Sequence, residues 1–204
     1  MGPRYCALEA KTKDDGGGRT RPGSIQGLED RGGACHLMAM VETFAPDRLS
    51  AEKAARYAEM SVEIAAVLDG ENDRVARMAT VSAMLKQAFD HFFWAGFYVV
   101  DPENAEELVV GPYQGTLGCL RIAFGRGVCG AAALSRRTQI VEDVHAFPGH
   151  IACDSRSLSE IVVPVLDGFG RLIAVFDVDA VELAAFDRID ADGLERILTQ
   201  TFAI

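Results

Sequence analysis

Near its C-terminal end the sequence reads Glu160-Ile-Val-Val-Pro-Val-Leu166, then Asp167-Gly-Phe-Gly170, and, after Arg171, Leu172-Ile-Ala-Val-Phe-Asp-Val178. Two β-branched runs that flank a short turn containing glycine are typical of a β-hairpin. Strands joined by so short a turn must pair antiparallel, because a parallel pair needs a crossover connection of roughly a dozen residues or more. This segment therefore predicts an antiparallel sheet.

The segments upstream of this hairpin extend the same sheet. Phe92 to Val100 is aromatic and β-branched, and Glu107 to Val110 continues after a turn over 101–106, which predicts a second antiparallel hairpin. The other predicted elements are a strand over 118–124, a short helix over 128–136, a strand over 138–142 and a polar loop over 143–159.

Helical segments flank the predicted sheet. Apolar residues recur at helical intervals over about 49–69, and Gly70 ends that segment. Asn72 or Asp73 can cap a second helix that runs to about residue 90, and a closing helix is predicted over about 187–202. The predicted fold class is α+β, an antiparallel β-sheet with an N-terminal helical hairpin and a C-terminal helix packed on one face.

Length, composition and charge limit the classes of function. The chain has 204 residues, and 49% of them are hydrophobic, which suffices for one domain with a buried core. Residues 1–40 hold glycine runs and no apolar periodicity, so we predict a disordered N-terminal extension followed by one domain over 41–204. The formal net charge of −10 argues against nucleic acid and anionic membranes as partners. The apolar runs are far shorter than the roughly 20 residues that a membrane-spanning helix needs.

The N-terminus and the cysteine usage predict a reducing compartment. Met1 to Asp15 contains no apolar block after a basic start, as a secretory signal would, so we predict a cytoplasmic protein. Five cysteines in such a compartment are expected to be thiols rather than a permanent disulfide framework.

Three cysteines of the predicted domain, Cys119, Cys129 and Cys153, each lie beside a turn or loop. Two interpretations stay open for them. They can be inert core residues, as single cysteines often are. Alternatively they form a redox set, in which a thiolate attacks and a second sulfur captures the resulting sulfenic acid as a disulfide.

The segment Gly125-Arg126-Gly127-Val128-Cys129-Gly130 matches the G-x-G-x-x-G pattern of dinucleotide-binding folds. That pattern belongs to a parallel sheet, which the C-terminal hairpin argues against. The glycines can instead shape a tight turn only. In a third interpretation, which we favour, the turn places Cys129 at the start of a helix.

Another cluster, His145, His150, Cys153 and Asp154, contains residue types that zinc accepts. Its spacing matches none of the common zinc motifs, so we predict no metal site. The histidines are then solvated loop residues or part of a site that holds no metal.

Acidic and aromatic residues complete the candidate site. Asp177 and Asp179 alternate on one predicted strand and share a face, and the hairpin brings Glu160 beside them. Like charges so close raise at least one pKa, so one carboxylic acid can stay protonated and donate a proton. Trp94 and Tyr98 share a strand face and can wall a small apolar pocket. Two structural interpretations stay open: the aspartates can simply cap a loop, and the aromatic residues can simply belong to the hydrophobic core.

Seven motifs in order, spread over about residues 45–185, closely resemble the free methionine-(R)-sulfoxide reductases, which are GAF-fold enzymes. The motifs are Phe93–Tyr98 (FWAGFY), Gly111–Gly115 (GPYQG), Cys119, Gly125–Gly130 (GRGVCG), Val141–His145 (VEDVH), Gly149–Asp154 (GHIACD) and Ser159–Pro164 (SEIVVP). The resemblance implies a GAF-like sheet for the domain.

The resemblance also implies an activity. Members of this family reduce free L-methionine (R)-S-oxide to L-methionine, thioredoxin finally supplies the electrons, and we expect no cofactor. At the matching positions, the resemblance implies that Cys153 is the nucleophile, Cys119 the resolving thiol and Cys129 a third, relay thiol. It implies that the acids that bind and polarise the substrate are Glu160, Asp177 and Asp179. It also implies that Trp94 and Tyr98 enclose the methyl end of the substrate.

Two other classes of function are kept as alternatives. A GAF-type sensory module would bind a small ligand without catalysis. A dinucleotide-dependent oxidoreductase would carry a nicotinamide or a flavin. Because GAF domains often pair through their terminal helices, we also expect a homodimer.

Overall fold

The computed structural model of the chain describes residues 46–151 and 153–203. The predicted N-terminal extension over 1–40 lies outside the described residues, so the domain boundary at residue 41 stays a prediction. The helices of the described part are α1 Pro46–Val67, α2 Arg74–Ala88, α3 Gly127–Ser135 and α4 Arg188–Phe202. Its strands are β1 Trp94–Val100, β2 Glu107–Gln114, β3 Arg121–Ala123, β4 Gln139–Val141, β5 Ser159–Leu166 and β6 Leu172–Ala180.

The strands form one sheet in the order β3-β2-β1-β6-β5-β4, and all neighbours pair antiparallel. The hairpin predicted from the C-terminal segment is confirmed as β5 and β6. Its turn is held by the Asp167 carboxylate, which accepts hydrogen bonds from the N–H groups of Phe169 and Arg171 at 3.0 Å each. The G-x-G-x-x-G pattern belongs to a dinucleotide-binding fold with parallel strands joined by helical crossovers, and this antiparallel sheet is not that fold.

Two hydrophobic layers lie on opposite faces of the sheet. Alternate residues of the central strands, among them Phe97, Ile161 and Phe176, are fully buried beneath α1, α2 and α4. The intervening residues, such as Trp94 and Tyr98, face the other side, where α3 packs. The predicted α+β fold is confirmed, with the N-terminal helical pair and the C-terminal helix on one face.

The helix boundaries follow from local backbone chemistry. Gly70 adopts a φ of +76° after α1, and the Asp73 carboxylate caps α2 by accepting a hydrogen bond from the Ala76 N–H at 2.8 Å. The described part of the first helix, Pro46–Val67, extends slightly before the predicted start at about residue 49. Among the described residues, no helix has the length and apolar character that crossing a membrane requires.

Strand β2 is longer than the sequence predicted. It continues past Val110 through Gly111 and Pro112 to Gln114. Gly111 and Pro112 together stand opposite the single residue Phe97, which is a β-bulge. Proline has no N–H to donate to a neighbouring strand, and a bulge is one of the places in a sheet that tolerate it. The strand therefore continues through Gly111 and Pro112, although the sequence predicted that it would end at Val110.

Candidate active site

Three adjacent strands bring the predicted acidic residues together on the α3 side of the sheet. Asp179 on β6 pairs with Glu160 on β5 and with Trp94 on β1. Two residues earlier on β6, Asp177 pairs with Gly96. Residues i and i+2 of a strand share a face, so Asp177 and Asp179 point to the same side of the sheet, and Glu160 lies beside Asp179 on the neighbouring strand. Gly96, opposite Asp177, has no side chain to fill the space next to these carboxyl groups.

These carboxylates hold protons more strongly than free ones. Glu160 and Asp177 are only 6% and 5% exposed. Burial, and then the charge of a neighbouring aspartate, raises the pKa of each well above its ordinary value. Burial also raises the pKa of Asp179 to about 6, although a hydrogen bond with Ser157 opposes that shift. Burial therefore favours the protonated form of these groups, and a carboxylic acid can donate a proton.

Cys129 lies in the first turn of α3 and faces these carboxylates. Its thiol donates to Glu160, with Sγ 3.8 Å from Oε1. Burial, followed by the charge of Asp177, raises the pKa of the thiol well above its ordinary value. Cys129 is the one free cysteine in the described part of the chain. In this arrangement it is a neutral thiol rather than a thiolate.

The other two cysteines of the domain form a disulfide. Cys119 precedes β3, Cys153 lies in the loop before β5, and their Cα atoms are 5.3 Å apart, within the usual range for a disulfide. Beside this bond, Thr116 Oγ1 donates to Asp154 Oδ2 at 2.8 Å, which ties the same two loops together. The structure thus contains the pairing that the family resemblance implied.

Trp94 and Tyr98 form one wall of the site. Their rings stack with centroids 5.7 Å apart, and Tyr113 continues the stack 5.1 Å from Trp94. Trp94 Nε1 donates to the carbonyl of Thr116 at 3.0 Å, so the indole is fixed against the loop that carries Cys119. Burial raises the pKa of Tyr98 far above its ordinary value, so its hydroxyl keeps its proton.

The glycine motif shapes the turn into α3. Gly125 and Gly127 adopt φ angles of +77° and +59°, in the left-handed region that favours glycine. A Cβ at Gly130 would lie 2.4 Å from the carbonyl oxygen of Ala123, so only glycine fits that contact. The motif serves a tight turn and places Cys129 at a helix start, which confirms the interpretation favoured from the sequence.

The start of α3 opens toward the acidic residues. Its N-cap residue, Arg126, forms no side-chain capping hydrogen bond, so that side chain does not occupy the N–H groups of the first turn. Arg126, Gly127 and Val128 line the same cavity as the carboxylates. An anionic group would find both helix N–H donors and a guanidinium there.

Together these elements enclose one cavity. Its lining includes every predicted site residue except Cys119, which is bonded to the lining residue Cys153. Asp177 Oδ1 is buried and has no hydrogen-bond partner within the described structure. An unpaired buried oxygen costs free energy, so Asp177 is suited to a ligand that donates hydrogen bonds or carries positive charge.

The histidine cluster does not assemble into a metal site. Cys153 is in a disulfide, Asp154 is ion-paired with Arg156 at 2.8 Å, and the rings of His145 and His150 are 6.1 Å apart. These residues form no group of metal ligands in the part of the chain that the structure describes. His150 lines the cavity.

Some residues around the cavity were not predicted from the sequence. Ser157 is buried and forms a hydrogen bond with Asp179. Arg156 lies over the ring of Phe93, 4.7 Å from its centroid. Both residues belong to a loop whose path depends on the tertiary fold. The polar composition of 143–159 was the only signal that pointed to them.

Comparison with known proteins agrees with this fold and cavity. The GAF domain family matches residues 78–203. GAF domain-containing protein A of Dictyostelium discoideum is 50% identical over 146 residues, which cover 72% of this chain and 90% of that protein. The free methionine-R-sulfoxide reductase of Escherichia coli is 40% identical over 144 residues, covering 71% and 85%. The X-ray structure of free methionine-R-sulfoxide reductase from Neisseria meningitidis in complex with its substrate is 49% identical, with a TM-score of 0.69, covering 73% and 87%.

The chain belongs to the GAF domain family, the class that its curved antiparallel sheet and its covered cavity define. Within that family it is grouped with the free methionine-R-sulfoxide reductases, and the resemblance inferred from the sequence motifs is confirmed.

Proposed function

We propose that this chain reduces free L-methionine (R)-S-oxide to L-methionine by cysteine thiol chemistry. The observation that carries the proposal is the Cys119–Cys153 disulfide beside a cavity whose floor holds buried carboxyl groups, and burial raises the pKa of Glu160 among them. Such a reduction ends with a disulfide and needs a proton donor for the oxygen that leaves sulfur.

Cys153 is the proposed nucleophile. It is exposed and lines the cavity, whereas the buried Cys129 keeps its proton. The Cys153 thiolate attacks the sulfoxide sulfur, and a carboxylic acid of the site protonates the sulfoxide oxygen. That oxygen passes to the Cys153 sulfur as a hydroxyl group and methionine leaves. The substrate sulfur gains two electrons, and Cys153 is oxidised to a sulfenic acid.

Cys119 is the proposed resolving thiol. Its sulfur attacks the Cys153 sulfur, the S–S bond forms, and the hydroxyl group leaves as water with the thiol proton. The Cα separation of 5.3 Å in the disulfide lies in the usual range, which supports Cys119 as the partner of Cys153. The relay role of Cys129 stays a prediction, and its contact with Glu160 supports a second role as a hydrogen-bond donor.

The acids and the start of α3 are proposed to recognise a free amino acid. One ionised carboxylate pairs with the substrate ammonium group, for which the unpartnered Asp177 Oδ1 is suited, and another acid keeps its proton for catalysis. The substrate carboxylate lies at the start of α3, near Arg126. Trp94 and Tyr98 enclose the methyl end. A methionine inside a peptide lacks both charged groups, which supports selectivity for the free amino acid.

Thioredoxin is the proposed electron donor. Thiol–disulfide exchange needs direct contact between the donor and the disulfide. Cys153 is exposed, and Leu117 and Leu120, on either side of Cys119, are 75% and 69% exposed, which offers an apolar surface to a dithiol protein. A thioredoxin-dependent cycle requires a reducing compartment, which supports the cytoplasm as the location. The homodimer stays an expectation that sedimentation equilibrium can test.

A thioredoxin-coupled assay tests the reaction. NADPH oxidation is followed with thioredoxin reductase, thioredoxin and, in turn, the free R epimer, the free S epimer and peptide-bound methionine sulfoxide. We expect turnover with the free R epimer and none above background with the other two. Equal turnover with the peptide-bound substrate would contradict the proposed recognition of the ammonium and carboxylate groups.

A surface variant tests the electron donor separately. Leu120→Ser is expected to raise the KM for thioredoxin and to leave turnover with dithiothreitol unchanged, because a small thiol needs no docking surface. Phe169→Ser is the matched control, since this residue is 85% exposed in the β5–β6 turn. The same KM for thioredoxin in both variants would contradict docking beside Cys119.

A further inference from the structure

The floor of the cavity contains a group of three side chains of types that bind metal ions. Cys129 Sγ and one carboxylate oxygen each of Glu160 and Asp177 all lie within 4.8 Å of one another. All three residues are buried, at 4%, 6% and 5% exposure. A thiol and two carboxyl groups form a ligand set that zinc accepts.

The spacing of these atoms suits a shared ion. Zn–S bonds of about 2.3 Å and Zn–O bonds of about 2.0 Å at a tetrahedral angle place sulfur and oxygen about 3.5 Å apart. The distance from Cys129 Sγ to Glu160 Oε1 is 3.8 Å. A small side-chain adjustment therefore closes the pair around an ion.

Two further observations point to a positively charged ligand. Asp177 Oδ1 is buried, lines the cavity and has no hydrogen-bond partner in the described structure. Within the same part of the chain, Glu160, Asp177 and Asp179 form no ion pair with lysine or arginine, although many other carboxylates do. The acidic floor thus lacks a paired cation of its own.

We propose that Cys129, Glu160 and Asp177 bind a thiophilic divalent cation such as Zn²⁺, and that the bound ion blocks the reductase by occupying the place of the substrate ammonium group. Binding displaces the protons of the thiol and carboxyl groups into solution. Three protein ligands leave a fourth position for water on the cavity side. The ion is an inhibitor and not a cofactor, and the claim of inhibition rests on the proposed function.

Cadmium is the spectroscopic probe for this site, because a cadmium–thiolate bond absorbs in the ultraviolet. The full chain carries Cys6→Ser and Cys35→Ser, and its Cys119–Cys153 disulfide is kept oxidised, so that Cys129 is the remaining thiol of the five. We expect one Cd²⁺ per chain, release of protons on binding, and displacement of the ion by free methionine sulfoxide. Zn²⁺ should compete with Cd²⁺ for the same site.

Variants localise the ion, with affinity measured by competition against a chromophoric chelator. Cys129→Ser and Glu160→Gln are each expected to weaken binding by at least about tenfold, as loss of a ligand should. His145→Ala is the control for the exposed histidine loop and should bind as the parent does. Unchanged affinity in Cys129→Ser, or binding that His145→Ala abolishes, would overturn the proposed site.

Steady-state kinetics test the inhibition. Zn²⁺ should raise the apparent KM for methionine sulfoxide, and a chelator should restore the original value. A fully active enzyme that binds no ion would overturn this inference alone. An inactive enzyme that still binds the ion at Cys129 would overturn the proposed function and, with it, the claim of inhibition.

Discussion

Cys129 Sγ lies 3.8 Å from Glu160 Oε1, in a buried contact between the first turn of α3 and the start of β5. The thiol keeps its proton there because burial and the neighbouring carboxylates disfavour the thiolate. The contact therefore restrains the carboxyl group of Glu160 at the floor of the cavity. This relationship separates Cys129 from the two cysteines that form the disulfide.

Two substitutions at Cys129 distinguish a hydrogen-bond role from a relay role. Cys129→Ser keeps a donor, so we expect a kcat within about tenfold of the parent. Cys129→Val removes the donor and leaves the carboxyl group of Glu160 without this partner. If the roughly 1–3 kcal/mol cost of such a buried group falls on the transition state, kcat decreases by about 5- to 150-fold. Steady-state kinetics with dithiothreitol and with thioredoxin measure kcat for both variants. A relay role would instead make the two variants equally defective with thioredoxin.

The acidic constellation could be predicted from the sequence for a simple reason. Asp177 and Asp179 alternate on one strand, and a hairpin with a short turn fixes which residue of the partner strand lies opposite. The pairing of Glu160 with Asp179 therefore follows from local sequence and is found in the structure. The glycine motif was ambiguous by itself, and the antiparallel hairpin resolved it.

The pKa of Asp179 predicts a pH-dependent stability. Its carboxyl pKa is raised by burial from 3.8 to about 6, so the folded state binds the proton more strongly than the unfolded state. The stabilisation that Asp179 gains by binding a proton in the folded state is fully present below about pH 4 and is lost as the pH rises through about 6. Above that pH the buried charge lowers the free energy of unfolding, by about 1–3 kcal/mol.

Asp179→Asn removes this charge and keeps a carbonyl oxygen as a hydrogen-bond acceptor. Relative to the parent, the variant is expected to gain stability at pH 7.5 and to gain little at pH 4, and to lose reductase activity. Urea unfolding at the two pH values measures the difference. A gain that is equal at both pH values would show that the buried charge is not its cause.

Gly130 allows the close packing of α3 on the end of β3. A Cβ there would lie 2.4 Å from the carbonyl oxygen of Ala123 and 3.1 Å from the nitrogen of Gly125, and backbone atoms cannot move aside cheaply. Gly130→Ala is expected to lower the free energy of unfolding by about 1–3 kcal/mol, as overpacking usually does.

Gly70→Ala is the matched control for this prediction. Gly70 has a φ of +76° and no atom within 4 Å of an added Cβ, so only backbone strain of roughly 1 kcal/mol is expected. Urea denaturation compares the two variants. A Gly130→Ala protein as stable as the parent would contradict the packing argument.

The cover of the cavity could not be predicted from the sequence. Ser157, Thr116 and Asp154 belong to loops and form hydrogen bonds that join segments distant in the chain. The hydrophobic periodicity of the sequence contains no signal for such contacts. The extent of β2 was missed because the Gly111-Pro112 pair looks like a break, whereas a bulge accommodates it. The sequence therefore specifies the strands and their faces better than the loops that close over them.

The central claim is that Cys153 is oxidised by the substrate and then captured by Cys119. Fully reduced protein is mixed with one equivalent of free methionine (R)-sulfoxide, the remaining thiols are alkylated, and disulfides are mapped by mass spectrometry. We expect one methionine per chain, a disulfide between Cys119 and Cys153, and an alkylated Cys129, with no methionine formed by Cys153→Ser. Methionine formation by Cys153→Ser at the parent rate would contradict the account.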